Sequence, residues 1–302
     1  MIGFGALLRP GELLNLIAAN FFSALQVLHT VGAGVDVIEL CGGAARVSLI
    51  AVRRNLRAGG NFDLVTQCDL NDPECQRAVM VYTNTYEPLV AVLQPTCRPF
   101  GPMAHLNYQI NYEAWRASYD DAVPHGRFCG RVALKQDMSG RYYLAEQPFP
   151  SWLWDEPPWP EVIARPGAES EIVHQCATGQ KGPHGLPAKK PTEFKANSRL
   201  LLQPLERFKC DGKHQHDDLS GGGSGPLQLY TWKLAGAIVD GIVKLKDAVI
   251  GPRSAFPEVS AGPGPPDVDS GSGEQVAPRA CLGCRRNRAS IGPARNRIPR
   301  QC

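Results

Sequence analysis

Residues 89–101 read LVAVLQPTCRPFG, an apolar run of strand length that leads straight into a cysteine flanked by prolines. With no polar residue from 89 to 93, the run predicts a strand buried on both faces. Pro95 and Pro99 cannot donate to a ladder, so they end the strand and stiffen the loop behind it. Cys97 is thereby expected at the carboxyl end of a central strand, the rim where open α/β sheets collect ligands and chemistry.

The flanking sequence supplies partners for such a strand. Upstream, residues 35–41 form a second apolar run, broken only by Asp36 and Glu39, that enters Gly42-Gly43-Ala44-Ala45. Small residues at a strand-to-helix turn let a ligand approach the backbone, and the helix behind presents free N–H groups. A basic amphipathic helix is expected over 46–57, with Gly59-Gly60 as its stop, then a strand over 62–68 ending in Asp69. An acid at that tip suits a ribose diol or a helix cap, since Asn71, Asp72 and Pro73 open a helix to about residue 86. Asp63, at the start of that strand, is less suited. Downstream, 105–112 reads as a polar, aromatic loop, a lid or a surface connection, and 113–138 as a helix broken near Pro124. RYYLAE, 141–146, is the next strand, with Glu146-Gln147-Pro148 at its end. Neighbouring strand tips lie about 5 Å apart, so Cys97 and Glu146 can face one substrate if their strands adjoin.

The order of these pieces resembles that of DNA cytosine-5 methyltransferases. Pro95-Thr96-Cys97-Arg98-Pro99-Phe100-Gly101 is similar to that family's Pro-Pro-Cys-Gln-x-Phe-Ser loop, VDVIELCGGAAR to its acid-Leu-Phe-Ala-Gly cofactor turn, and YYLAEQP to its Glu-Asn-Val strand end. GPHGLPAKKPTEFKAN is similar to the Gly-x-Pro-Gln-x-Arg-x-Arg segment that orders the cysteine loop, with Lys189 and Lys190 where arginines are usual. From NFDLVTQCDLNDP to KKPTEF the wording is closest to methyltransferase-like domains in mobile-element reading frames of dinoflagellate algae. The resemblance spans residues 35–250. It implies a Rossmann-like α/β fold with a mostly parallel, doubly wound sheet, S-adenosylmethionine as cofactor, and DNA, or else RNA, as partner.

In its terms Glu39, Cys41, Gly42, Gly43, Asp69 and Pro95 line the cofactor, and Cys97 and Glu146 are catalytic. Thr96, Arg98, Gln147, Lys189 and Lys190 meet the nucleic acid. The departures are Ala45 and Arg46 in place of further glycines, Gln147 in place of asparagine, and no strand for the adenine between residue 86 and Leu89. Residues 198–226 form a short insertion where the family carries a large recognition region, which argues against sequence-specific reading.

The chemistry asks for these residue types. Carbon 5 of cytosine is too electron-poor to be methylated until a nucleophile adds at carbon 6, and a thiolate is the strongest side-chain nucleophile near neutral pH. A carboxyl group with a raised pKa, Glu146, would hold the N3 edge and donate a proton as charge develops there. The base must leave its stack to reach the pocket.

The remaining sequence sets bounds. The 302 residues, 43% apolar, suffice for one large α/β domain or two small ones, and a net charge of +3 announces no nucleic-acid binder by itself. Ten cysteines spread along the chain fit thiols in a reducing compartment, hence an intracellular protein of the nucleus or cytoplasm. Residues 12–31 are the longest apolar stretch. Asn15, Asn20, Ser23 and Gln26 recur at nearly helical spacing, which favours a packed helix within 1–34 over a membrane span or leader. SWLWDEPPWP, 151–160, reads as indoles packed on the sheet rather than a base-stacking platform. A strand is expected over 172–176 and a closing amphipathic helix over 227–249. Cys210-x3-His214-x-His216 carries metal-ligand chemistry but only three ligands, with Cys176 or Asp217 as a fourth from afar, or else forms a hydrogen-bonded hairpin. Residues 251–302 turn to proline, glycine and serine and end in a basic tail, with seven arginines and no acid from 279 onward, suited to salt-sensitive nucleic-acid binding. The expected activity is methyl transfer to carbon 5 of cytosine through a covalent cysteine adduct. The alternative is an inactive module of the same fold that binds nucleic acid or partners.

Overall fold

The computed structural model describes residues 34–219 and 225–250. The N-terminal apolar stretch, the glycine-serine loop and the basic tail lie outside the described residues. A six-stranded mixed sheet has the order β2-β1-β3-β4-β6-β5, built from β1 (Val37–Leu40), β2 (Ala58–Phe62), β3 (Val90–Leu93), β4 (Tyr142–Pro148), β5 (Glu169–His174) and β6 (Pro191–Ala196). β1 pairs parallel with β2 and β3, and β3 pairs parallel with β4. β6 runs antiparallel to both β4 and β5. The expected parallel pairing is therefore met from β2 to β4, while the antiparallel β6 makes the sheet mixed rather than clearly doubly wound. Residues 191–196, expected as part of a basic segment, form β6. Its inward Thr192, Phe194 and Ala196 are fully buried, the alternation of a half-buried strand.

Helices cover both faces. On one, α2 (Pro73–Tyr86), α4 (Tyr112–Met138) and α5 (Trp159–Ala164) pack Val79, Tyr82, Phe128, Val132 and Trp159 with Ile38, Leu40, Ala91, Leu93 and Tyr143. On the other, α1 (Arg46–Arg53), α6 (Arg199–Leu202) and α7 (Trp232–Ile250) pack Val47, Ala51, Leu201, Ile238 and Ile242 with Val37, Val90, Val92, Leu144 and Phe194. β3 thus sends Ala91 and Leu93 to one layer and Val90 and Val92 to the other, which is why its sequence has no polar break. No described helix is long and apolar enough to cross a membrane.

Several local expectations change. Gly59 and Gly60 lie inside β2 rather than ending a helix, and α1 stops at Arg53. A Cβ at Gly59 would stand 2.4 Å from the Tyr82 hydroxyl and 2.7 Å from Val35, and Gly60 N–H donates to that hydroxyl at 3.2 Å. The glycines therefore admit close packing on a strand. Residues 64–66 form a 3-10 turn instead of strand, because Asp63 accepts from Val65 N and Thr66 Oγ1 accepts from Asp63 N, a reciprocal capping box. Residues 105–112, expected as a loop, belong to α3 (Pro102–Ile110) and the start of α4; Pro102 takes the first helical position, where its missing N–H costs nothing. The strand expected over 172–176 ends at His174, and Cys176 lies in the 3-10 turn that follows.

α4 is not broken at Pro124. The Asn71 side chain donates to Asp121 O at 2.9 Å and accepts from His125 N at 3.2 Å, so one amide stands in for the backbone bond of that turn. Trp159 is buried against α4 with its Nε1 donating to Gly126 O at 3.0 Å. That is the packing role expected of the tryptophan-rich stretch.

Candidate active site

The cysteine loop leaves β3 at Gln94 and is tied down residue by residue. Gln147 Nε2 donates to Pro95 O at 2.7 Å, Trp115 Nε1 to Pro99 O at 3.1 Å, and Trp152 N to Phe100 O at 2.9 Å. The Cys97 carbonyl accepts from Phe100 N and Gly101 N at 3.0 and 2.9 Å. Gly101 leaves no room for a side chain, since its Cβ would lie 3.0 Å from Pro148. The loop is thus fixed from β4, α4 and the 151–155 turn. Pro95 is buried, Thr96 and Cys97 are half-buried and Arg98 is exposed. Gln147 is buried with its other end accepting from Ser151 Oγ at 3.1 Å. It holds the loop, which corrects the expectation that it meets substrate.

β3 and β4 are parallel neighbours with Leu93 opposite Ala145, so the next pair along the ladder is Gln94 and Glu146. Side chains alternate along a strand. Glu39, Gln94 and Glu146 therefore project with Val37, Val92 and Leu144 toward the layer of α1 and α7. Gln94 Nε2 donates to Glu39 Oε2 at 3.1 Å, and Ser48 N donates to Glu39 Oε1 at 2.7 Å. Over this row sits Tyr230, just ahead of α7, stacked at 6.3 Å between centroids on Phe194, the β6 partner of Glu146. Arg46 Nη1 donates to Tyr230 O.

The electrostatics tie these groups together. Burial raises the pKa of Glu146, and nearby Lys190 and the Tyr230 hydroxyl partly counter it. Burial likewise raises Glu39, opposed by its bonds from Ser48 and Gln94. Tyr230 is pushed well up, first by burial, then by the charges of Glu146 and Glu39, and also by Cys97. Tyr230 is thus within electrostatic reach of both the carboxyl group and the thiol. Glu146 Oε1 and Tyr230 Oη are enclosed and face each other, close enough to interact but short of good hydrogen-bond geometry. Buried polar atoms are rarely so weakly satisfied, so this pair keeps bonding capacity that a polar ligand could use.

The glycine turn lies on the same rim, at the end of β1. Gly43 has φ +51°, as do Cys41 at 56° and Ala45 at 51°, a run of left-handed residues that only surrounding contacts can hold. Gly43 N donates to Asp63 Oδ2 at 2.9 Å, and Asn61 Nδ2 to Gly43 O at 3.0 Å. A Cβ at Gly42 would lie 2.6 Å from Asn61 Oδ1, whereas one at Gly43 would meet nothing within 4 Å. Asn61 Oδ1, which flanks this turn, is also buried and meets no hydrogen-bond geometry. Open space in front of Gly43, with the unpaired Asn61 Oδ1 beside it, leaves room for a polar group to approach the backbone.

Asp69 is not at a strand tip. β2 ends at Phe62, and the Asp69 carboxylate accepts from Asn71 N at 2.9 Å, the turn role. Asp63, expected at the strand's start, instead occupies its tip and touches the glycine turn. The sign was available in the sequence: Asp63 begins an Asp-x-x-Thr box. Tyr230 had no such sign, because only the fold brings it to residue 146.

No protein-family model matches the chain, and no curated protein sequence matches it. The mobile-element resemblance therefore stands on the sequence wording alone. Among solved structures, the S. pombe Dnmt2 methyltransferase aligns at 11% sequence identity with a TM-score of 0.33, over 61% of this chain and 57% of that one. The chain thus spans little more than half the length of that protein.

Of the basic pair, Lys190 is half-buried and near Glu146, while Lys189 is exposed. The three metal-type residues at 210–216 are brought together with Cys176, away from the row of acids; Asp217 instead accepts from the backbone of His184 and Leu186 at 2.8 and 3.3 Å.

Proposed function

We propose that the chain is a Rossmann-like, S-adenosylmethionine-dependent methyltransferase that modifies carbon 5 of cytosine in a nucleic acid, DNA before RNA. The observation that supports this reading is the emergence of Cys97 and Glu146 from the ends of neighbouring parallel strands, with Tyr230 within electrostatic reach of both and the glycine turn on the same rim. Gly42, Gly43, Glu39 and Asp63 would hold the cofactor, with Asp63 rather than Asp69 near the ribose and Pro95 and Cys41 at its margins. When bound, S-adenosylmethionine supplies an electrophilic methyl group.

The chain's own residues do the rest. Cys97, as thiolate, adds to carbon 6 of the base, and the electron pair of the ring moves toward carbon 5 and N3. Glu146, whose pKa burial raises, would give its proton to N3 as charge develops there and take it back when the adduct collapses. Tyr230 stands beside that carboxyl group and orients it. After methylation the carbon 5 proton leaves to a base or water, the carbon 6–sulfur bond breaks, and Cys97 and Glu146 return to their first state. Thr96, Arg98 and Lys190, all at least partly exposed, would meet the strand whose base is flipped.

The rival reading is a binding module of the same fold without turnover. Ala45, a left-handed residue with a side chain where a glycine is expected, favours it. Isothermal titration with S-adenosylmethionine, together with transfer of a tritiated methyl group to DNA, RNA and protein, separates the two. Cofactor binding with label in the cytosine of nucleic acid supports the enzyme; binding of nucleic acid with no cofactor uptake supports the module.

A further inference from the structure

We propose that Cys176, Cys210, His214 and His216 form a tetrahedral Zn2+ site that braces the basic segment beside the candidate active site. One ligand atom from each of the four residues lies within 4.8 Å of all the others. Cys210 Sγ stands 3.3 Å from His216 Nε2 and 3.8 Å from His214 Nε2. A tetrahedron with Zn–S near 2.3 Å and Zn–N near 2.0 Å has edges of about 3.3–3.8 Å, so small movements close the site. The donor set, two thiols and two imidazoles, suits Zn2+ and not Mg2+ or Ca2+, which take oxygen ligands.

The groups around the four ligands are those a zinc site uses to orient and tune them. Asp211 Oδ1 lies 3.4 Å from His214 Nδ1, on the side of the ring away from the cluster. Gly212 N donates to Cys210 Sγ at 3.4 Å, and Cys210 N donates to His174 Nδ1 at 2.9 Å. Binding would release the two thiol protons, leaving a neutral centre of one dication and two thiolates.

The site closes a long loop. Cys176 follows β5, while the other three ligands lie on the 210–216 turn that has no strand or helix of its own. Next to that turn, Asp217 N donates to Pro187 O at 2.9 Å and Asp217 Oδ2 accepts from His184 N at 2.8 Å. Those bonds anchor the 182–188 turn that leads into Lys189 and Lys190. Zn2+ would therefore hold the lysines in place through the 210–217 segment, and tie together a part of the chain that little apolar packing secures.

The test is metal content of the full chain, purified under reducing conditions without chelator, by mass spectrometry. The native chain is expected to retain about one Zn2+ per chain, with Cys210→Ser and His216→Ala each losing at least tenfold. Cys281→Ser/Cys284→Ser, which removes the Cys-x-x-Cys pair of the basic tail, keeps the metal. Cobalt(II) in place of zinc should give the intense ligand-field absorption of a tetrahedral site and a thiolate-to-cobalt charge-transfer band. His214→Cys guards against variants that fail to fold: it should keep the metal and strengthen that band. Zinc content unchanged by Cys210→Ser, no zinc uptake by the reduced native chain from zinc chloride, or a Cys176–Cys210 disulfide that persists on reduction and excludes zinc would each overturn the proposal.

Discussion

Glu146 shows how one side chain links stability, pH and chemistry. Its folded-state pKa lies above the ordinary value of 4.5 because burial disfavours the charge. Its contribution to stability is therefore full below that value and is lost as pH rises through the folded pKa. Glu146→Gln removes this loss, so the variant should match the native melting temperature in acid and exceed it at alkaline pH. Glu39 shifts in the same direction, so part of the native pH dependence will remain. Methyl transfer should fall about 10²-fold or more, since an amide can hold N3 but cannot give it a proton. The native rate should decline with rising pH as Glu146 ionises, and the variant should lack that limb. A melting temperature of Glu146→Gln that tracks the native one at every pH would contradict this account. A second side chain matters for the frame. Lys246 Nζ donates to Asp36 Oδ2 at 2.6 Å, both residues being buried, and Arg57 N and its guanidinium share the same carboxylate at 2.7 and 3.6 Å. Lys246→Met leaves that carboxylate short of its nearest cation and should cost about 3 kcal/mol in urea unfolding.

The elements hold together through a few close approaches. A Cβ at Gly241 of α7 would stand 2.8 Å from Leu201 O of α6, a backbone atom that cannot swing away. Gly241→Ala should therefore cost about 1–3 kcal/mol, despite the better helix propensity of alanine; a gain in melting temperature would show that the two helices part freely. Asn71→Ala should cost about 1–2 kcal/mol and raise amide exchange at His125, since Asp121 O and His125 N lose the amide that joins them. The elements also show what the sequence could tell. β3 was legible because burial on both faces forbids polar residues, and α2 because Asp72 and Pro73 announce its start. β2 was misread because its glycines answer to Tyr82 and Val35, contacts that no local pattern encodes. β6 carries a readable alternation of Thr192, Phe194 and Ala196, but it directly follows Lys189 and Lys190, and Glu193 and Lys195 interleave it with charges that suit an exposed segment equally well. The cysteine loop and Glu146 were legible as strand tips; their adjacency depended on β3 and β4 pairing, which no single strand reveals.

At the scale of the whole molecule, the groups that matter come from distant parts of the chain and meet because helices close both faces of one sheet. Residues near 40, 63, 97, 146 and 230 gather at the carboxyl ends of the parallel strands, while Asp36 and Lys246 lock the other end. Only this assembly brings Tyr230 to Glu146 and selects Cys176 over Asp217 as the fourth metal-type ligand. The central claim, that Cys97 attacks a cytosine held by Glu146, is tested most directly by trapping. The full chain is incubated with S-adenosylmethionine and an oligonucleotide containing 5-fluorocytosine, whose carbon 5 cannot release a proton, and the adduct is mapped by mass spectrometry. The account predicts a covalent complex through Cys97 that is absent from Cys97→Ser and slower to form with Glu146→Gln. No adduct from a chain that binds both cofactor and oligonucleotide, or one attached through another cysteine, would contradict it.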